Sequence, residues 1–179
     1  MNIATRYAKA LWESSLRLSA DQQEQLYDDM RVLHECLVAL PALRAALANP
    51  VESKEEKRRL LDSAGGGKNS PLYGQFVNLV LDHRRANQMI WIASIYTDMY
   101  RRAQGISRVV IESAFELPQT TRELLQQRLA QLLSGSVECR YLVNPDLIGG
   151  FRIRVNDKRI DASYRRKLED IRNAILNQG

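Results

Sequence analysis

Between residues 143 and 163 the chain runs Val-Asn-Pro-Asp-Leu-Ile-Gly-Gly-Phe-Arg-Ile-Arg-Val-Asn-Asp-Lys-Arg-Ile-Asp-Ala-Ser. Proline lacks an amide donor and pushes its predecessor out of the helical region, so Asn144-Pro145 ends whatever precedes it. After Gly149-Gly150, Phe151, Ile153 and Val155 alternate with Arg152 and Arg154, the period-two pattern of a strand with one dry and one wet face. Asn156-Asp157 suits a two-residue turn, because both side chains tolerate positive φ. The pattern predicts a short return strand from Lys158 to Ile160 and then a last helix, capped by Asp161 or Ser163 and striped by Tyr164, Leu168, Ile171 and Ile175.

Working backwards, the same alternation marks two more strands. Val109, Ile111 and Ser113 alternate with Arg108, Val110 and Glu112, while Val137, Cys139, Tyr141 and Val143 alternate with Glu138, Arg140 and Leu142. A helical pattern lies between them from Thr120 to Leu133, with Leu125, Leu129 and Leu132 aligned. Residues 106–179 therefore read as an α+β domain, a small sheet carrying helices. Gly105 marks its start, as the cap of a helix ending Arg101-Arg102.

Residues 1–105 have helical periodicity throughout. The first helix, within residues 2–18, carries Ile3, Tyr7, Leu11 and Leu18 with small alanines beside them. Ser19-Ala20-Asp21-Gln22 has capping-box spacing and opens a second helix to Leu40. Pro41 fits the first turn of a short third helix. Asn49-Pro50 breaks the pattern, Ser53-Lys54-Glu55-Glu56 restarts it, and Gly65-Gly66-Gly67 ends the fourth helix. Ser70-Pro71 opens a fifth with a broad apolar face, including Leu72, Tyr73, Phe76, Val77, Leu79 and Val80, and a sixth runs from about Asn87 to Gln104. The expected fold is mainly α with a smaller α+β part, an N-terminal six-helix bundle followed by a sheet-plus-helices domain.

The chain has 179 residues, 45% of them hydrophobic and 26% charged, enough apolar content for a buried core in each half. No apolar run reaches the roughly 20 residues that span a bilayer, and Arg6, Lys9 and Glu13 interrupt any signal-peptide pattern. The net charge of +5 makes a basic nucleic-acid-binding module the alternative function. Residues 1–105 hold 14 basic and 12 acidic residues, and residues 106–179 hold 12 and 9. The excess is thus spread over both halves, and the basic clusters lack the interleaved aromatics of a single-strand binding surface.

Chemistry-bearing patterns are sparse. Gly65-Gly66-Gly67-Lys68 lacks the earlier glycine of a phosphate loop, and Asn69 replaces its Ser or Thr. His34, Glu35 and Cys36 are contiguous on a helix and so point in different directions, which does not make a metal site. The pairs Asp28-Asp29 and Glu55-Glu56 read as solvated, and Cys36 and Cys139 as buried, reduced thiols. The sequence predicts no catalytic residue, no metal and no cofactor. The first and fifth helices have faces wider than a bundle requires, and together they read as a groove for an amphipathic partner helix.

The whole chain is similar to one family. Val143-x-Pro145-x-Leu147-Ile148-Gly149-Gly150, the alternating strand and Ile160-Asp161-x-Ser163 resemble the end of the delta subunit of F-type ATP synthases, the family of the mitochondrial oligomycin-sensitivity-conferring protein. Arg6-Tyr7-Ala8-x-Ala10-Leu11, Asn49-Pro50-Val51 with Glu56-Lys57, and Gly105 before a strand ending Ser113-Ala114 extend it in the expected order. Asn156 departs from the pattern, standing where the family often has glycine. The resemblance implies a non-enzymatic stator subunit of the peripheral stalk that couples proton-driven rotation to ATP synthesis. It implies that the helical domain receives N-terminal segments of alpha subunits, with Tyr7, Ala8, Leu11, Phe76 and Leu79 as the candidate contacts. It implies that the C-terminal domain meets the b subunits through the region from Leu147 to Ser163. Membrane association is expected only through the complex, on the cytoplasmic face of a bacterial plasma membrane, with no nucleic-acid partner.

Overall fold

The structure, a computed structural model, describes residues 2–133, 135–145, 147, 151–156 and 173. Among them are seven α-helices and a three-stranded sheet, so the chain is mainly α with a smaller α+β part. It divides into two compact units, Met1–Tyr100 and Arg101–Gly179.

The helices of the first unit begin where their caps dictate. α1 (Ile3–Ser15) starts at Asn2, whose side chain accepts from the Ala4 amide at 2.9 Å. α2 (Ala20–Ala39) opens with a complete capping box, the Ser19 and Gln22 side chains each accepting from the other's backbone amide. α3 (Pro41–Ala48) has proline in its first turn, where a missing amide costs nothing. α4 (Lys54–Ala64) is capped by Ser53, whose hydroxyl accepts from the Glu56 amide. α5 (Pro71–Asp82) begins after Ser70, a 3-10 turn spans Ala86–Gln88, and α6 (Met89–Gln104) follows it.

Three helix ends share one hydrogen-bonding pattern. Gly67 donates to the Asp62 carbonyl after α4, Arg85 to Val80 after α5, and Ile106 to Arg101 after α6. Each needs a left-handed residue just before the donor, supplied by Gly66 at φ 105°, Arg84 at φ 54° and Gly105 at φ 64°. Glycine pays no steric penalty there; Arg84 does.

The core of this unit joins α1, α2, α4, α5 and α6 through fully buried Leu11, Leu33, Leu61, Tyr73, Ile92 and Tyr96. One expectation fails inside it. Asp29 is not solvated but 6% exposed, and its carboxylate accepts the Ser70 amide at 2.8 Å. Ser70 gives no side-chain cap to α5, so a carboxylate from α2 does that work at the positive end of the helix. Burial raises the Asp29 pKa above the ordinary carboxylate value; the bonds from Ser70 oppose the shift and the charge of Asp28 adds to it. Asp28 is exposed and pairs with Arg31, while Glu55 and Glu56 are exposed as expected.

In the second unit, β1 (Ser107–Ser113) is central. β2 (Val137–Val143) pairs parallel to it, with Ser107 opposite Val137, and β3 (Phe151–Val155) pairs antiparallel, with Ile111 opposite Ile153. Parallel neighbours need a crossover, which α7 (Gln119–Leu133) provides. Val109, Ile111, Leu117, Leu125, Leu129 and Val137 form the core, with Ile153 and Val155 packed against it. Glu112 is also buried, although it falls on the polar phase of β1. Its carboxylate accepts from Arg152 at 3.3 Å and from Arg154 at 2.7 Å, two neighbours on β3 that bring the compensating charge.

Asn156 follows β3 at φ 46°, and its side chain accepts from the Arg108 amide at 3.0 Å. Asparagine thus holds the left-handed position expected of glycine. The predicted return strand from Lys158 to Ile160, the Gly149-Gly150 pair and nearly all of the last helix lie outside the described residues; Asn173 is helical. Cys36 and Cys139 are free thiols, half-buried rather than buried as the pattern predicts. Each sits where an apolar stripe meets the surface.

Candidate docking surface

Among the described residues no group of three or more His, Cys, Asp or Glu side chains is placed to hold a metal ion. His34, Glu35 and Cys36 stay apart on α2, with His34 half-buried, and His83 is exposed at the end of α5. Nor is any described helix long and apolar enough to cross a membrane. The surface that draws notice is the seam between α1 and α5.

α1 buries Ala4, Ala8, Leu11 and Ser15, a stripe at i, i+4, i+7 and i+11. Ile3, Tyr7 and Ala10 lie along its edge on the flank that approaches α5. α5 buries Tyr73, Phe76, Val77, Val80 and Leu81, leaving Leu72, Leu79 and His83 along its corresponding edge. Tyr7 joins the two helices. Its ring meets Phe76 edge-on at 6.4 Å between centroids and His83 at 6.2 Å. The His83 Nδ1 lies 2.8 Å from the Leu79 carbonyl oxygen, so the imidazole is tethered to the last turn of the helix that it caps.

The five residues expected to line a groove are therefore brought to one place, but they do not present equal surface. Leu79 is 44% exposed and Tyr7 is half-buried, while Ala8, Leu11 and Phe76 are 0%, 1% and 4% exposed. The last three belong to the buried core beneath the strip. Ile3, 36% exposed, and half-buried Leu72 complete the apolar strip and were not among the five. Their signal was available: each falls on the same helical edge as Tyr7 or Leu79.

A seam of this kind offers apolar area to a partner, with the His83 imidazole at its end. Residues 3–175 match the family model of the ATP synthase delta (OSCP) subunit. The chain belongs to the ATP synthase delta (OSCP) subunit family. The delta subunit of Parabacteroides distasonis is 42% identical over 97% of this chain and 96% of its own length. That of Desulfitobacterium hafniense is 31% identical, covering 97% of this chain and 96% of its own. A chain in the cryo-EM structure of the Toxoplasma gondii mitochondrial ATP synthase hexamer has the same fold, with a TM-score of 0.65 at 19% identity over 98% of both chains. As a delta-family member the chain is a non-catalytic stator subunit of the F-type ATP synthase, a part of the peripheral stalk.

Proposed function

We propose that this delta-family subunit holds the catalytic head through its helical domain, residues 1–105, and the b subunits through its α+β domain, residues 106–179. The helical domain acts as a six-helix bundle whose α1–α5 seam receives N-terminal helical segments of alpha subunits. Tyr7 and Leu79 make the contacts, and Ala8, Leu11 and Phe76 keep the floor rigid. The b subunits meet the region from Leu147 to Ser163. The assembly places the chain on the cytoplasmic face of a bacterial plasma membrane, attached through its partners.

The observation that carries this reading is an apolar strip holding exposed Leu79 and half-buried Tyr7 on two helices joined by the Tyr7–Phe76 ring contact, in a chain of the delta family. A stator must resist the torque on the head, and attachment by burial supplies that: removing apolar area from water contributes about 25 cal/mol per Å², offset by the freedom lost on docking. The test is Leu79→Asp in the assembled complex. Leu79 is 44% exposed and outside the buried core, so the fold should tolerate the change, and the variant is expected to lower ATP-driven proton pumping while hydrolysis by the detached head continues. Full coupling in a correctly assembled variant sinks the seam as the alpha contact.

A further inference from the structure

The two faces of the sheet in the second unit are unlike. Val109, Ile111, Val137 and Ile153, at odd-numbered strand positions, pack with Leu125 and Leu129 of α7. Strand alternation turns the even-numbered positions to the other side. There the register sets Arg140 and Arg154 on either flank of Val110, and Leu142 and Arg152 on either flank of Glu112. One row nearer the start of β1, Arg108 stands beside Glu138.

Charge on this second face is unbalanced. Glu112 accepts from both Arg152 and Arg154, and Glu138 accepts from Arg101 at 2.8 Å, so both carboxylates are already engaged. No ion pair or side-chain hydrogen bond with a described residue engages the guanidinium of Arg108 or Arg140. Arg140 is exposed, as are the side chains of Arg152 and Arg154, while half-buried Val110 and Leu142 give the same face an apolar patch. Neighbouring strands lie about 4.8 Å apart, so the backbones carrying Arg140 and Arg154 are separated by roughly 10 Å, about the width of an α-helix.

We infer that this face takes an acidic amphipathic helix of a partner, its apolar stripe on Val110 and Leu142 and its carboxylates against Arg140 on one flank and Arg152 and Arg154 on the other. The inference rests on the reading that this domain meets the b subunits; it extends the contact from β3 across β1 to β2 and names the chemistry such a segment needs. Apolar contact supplies attachment, and the guanidinium groups fix orientation and reject basic helices, since like charges brought together at an interface are costly. A single-stranded nucleic acid fits less well, because the even-numbered strand positions offer no ring on which bases could stack.

The test uses the full chain and two fluorescein-labelled synthetic helices with the same Leu/Ile stripe, one flanked by glutamates and one by lysines, followed by anisotropy at low and high salt. The glutamate helix is expected to bind about tenfold more tightly at low salt, with the gap narrowing as salt screens the charges. Arg140→Glu removes an exposed side chain with no internal partner to lose, so Tm should hold while the glutamate helix weakens about tenfold; Arg140→Gln should give a smaller loss in the same direction. Glutamate-helix binding that is unchanged in Arg140→Glu, or weaker than that of a labelled oligothymidylate, overturns the inference. Equal binding of both helices, lost together in Leu142→Asp, keeps the face as a docking surface and overturns its acidic occupant, as does tighter binding of the lysine helix. Failure of both helices to bind also overturns the inference, and retention of b subunits on a column carrying the full chain then decides the b-facing reading separately.

Discussion

Replacing Asp29 tests how the helices of the first unit are held. Asp29 is buried and accepts the Ser70 amide at 2.8 Å, at the N-terminus of the helix that carries the seam. Asp29→Ala leaves that donor unpaired in a buried place, which costs about 1–3 kcal/mol. In a unit of this size each kcal/mol corresponds to roughly 4–8 °C in Tm. Asp29→Asn keeps an acceptor of the same shape, and therefore isolates the charge. Because burial raises the folded-state pKa above the unfolded value of 3.8, the folded chain holds this proton more tightly than the unfolded one. The stabilising contribution of that proton is complete below the unfolded pKa and is lost as pH rises through the folded one. The stability of the native chain relative to Asp29→Asn should accordingly fall as pH is raised from the unfolded pKa through the folded one. Urea unfolding followed by tryptophan emission reads this directly, since Trp12 and Trp91 are the chain's two tryptophans and both lie in the first unit. A pH-independent difference, or one that moves in favour of the native chain as pH rises, would refute the buried, partly destabilised carboxylate.

Four further substitutions probe the rest of the scaffold. Gly65→Ala adds a Cβ about 2.8 Å from the Tyr73 ring and hydroxyl and 2.7 Å from the Asn69 side-chain oxygen, at an ordinary φ of −79°. The clash should cost about 1–3 kcal/mol in urea unfolding, with no backbone strain to confuse it. Leu11→Ala empties part of a fully buried site and should cost about 2–5 kcal/mol, whereas Leu79→Asp, at a side chain 44% exposed, should cost only about 1 kcal/mol; equal effects would mean the seam's floor and rim are wrongly divided. Glu112→Gln weakens the acceptor between Arg152 and Arg154, whose side chains are 60% and 62% exposed and can return to water. Its cost should therefore stay near 1 kcal/mol and shrink at high salt, measured by circular dichroism on urea titration.

Local chemistry was legible in the sequence because its causes lie within a few residues. The Ser19–Gln22 box, proline opening α3 and α5, and glycine closing α4 and α6 each act on their own turn of backbone. Strand alternation placed β2 at Val137–Val143 and gave β1 its dry face of Val109 and Ile111. The order of motifs along the chain carried the family resemblance, since each motif serves a local turn or cap. What the sequence did not settle depends on residues far apart. Asp28 and Asp29 are adjacent, yet only packing of α5 against α2 turns one into a buried cap and leaves the other in water. Glu112 looked polar and exposed until β3 paired antiparallel to β1 and set two arginines over it. Likewise, periodicity showed a wide apolar arc on α1 and α5, but which residues fill the core and which remain as surface was decided by where the two helices meet. A single helix has no information about its neighbour's position, and that contact is what separates Leu11 from Leu79.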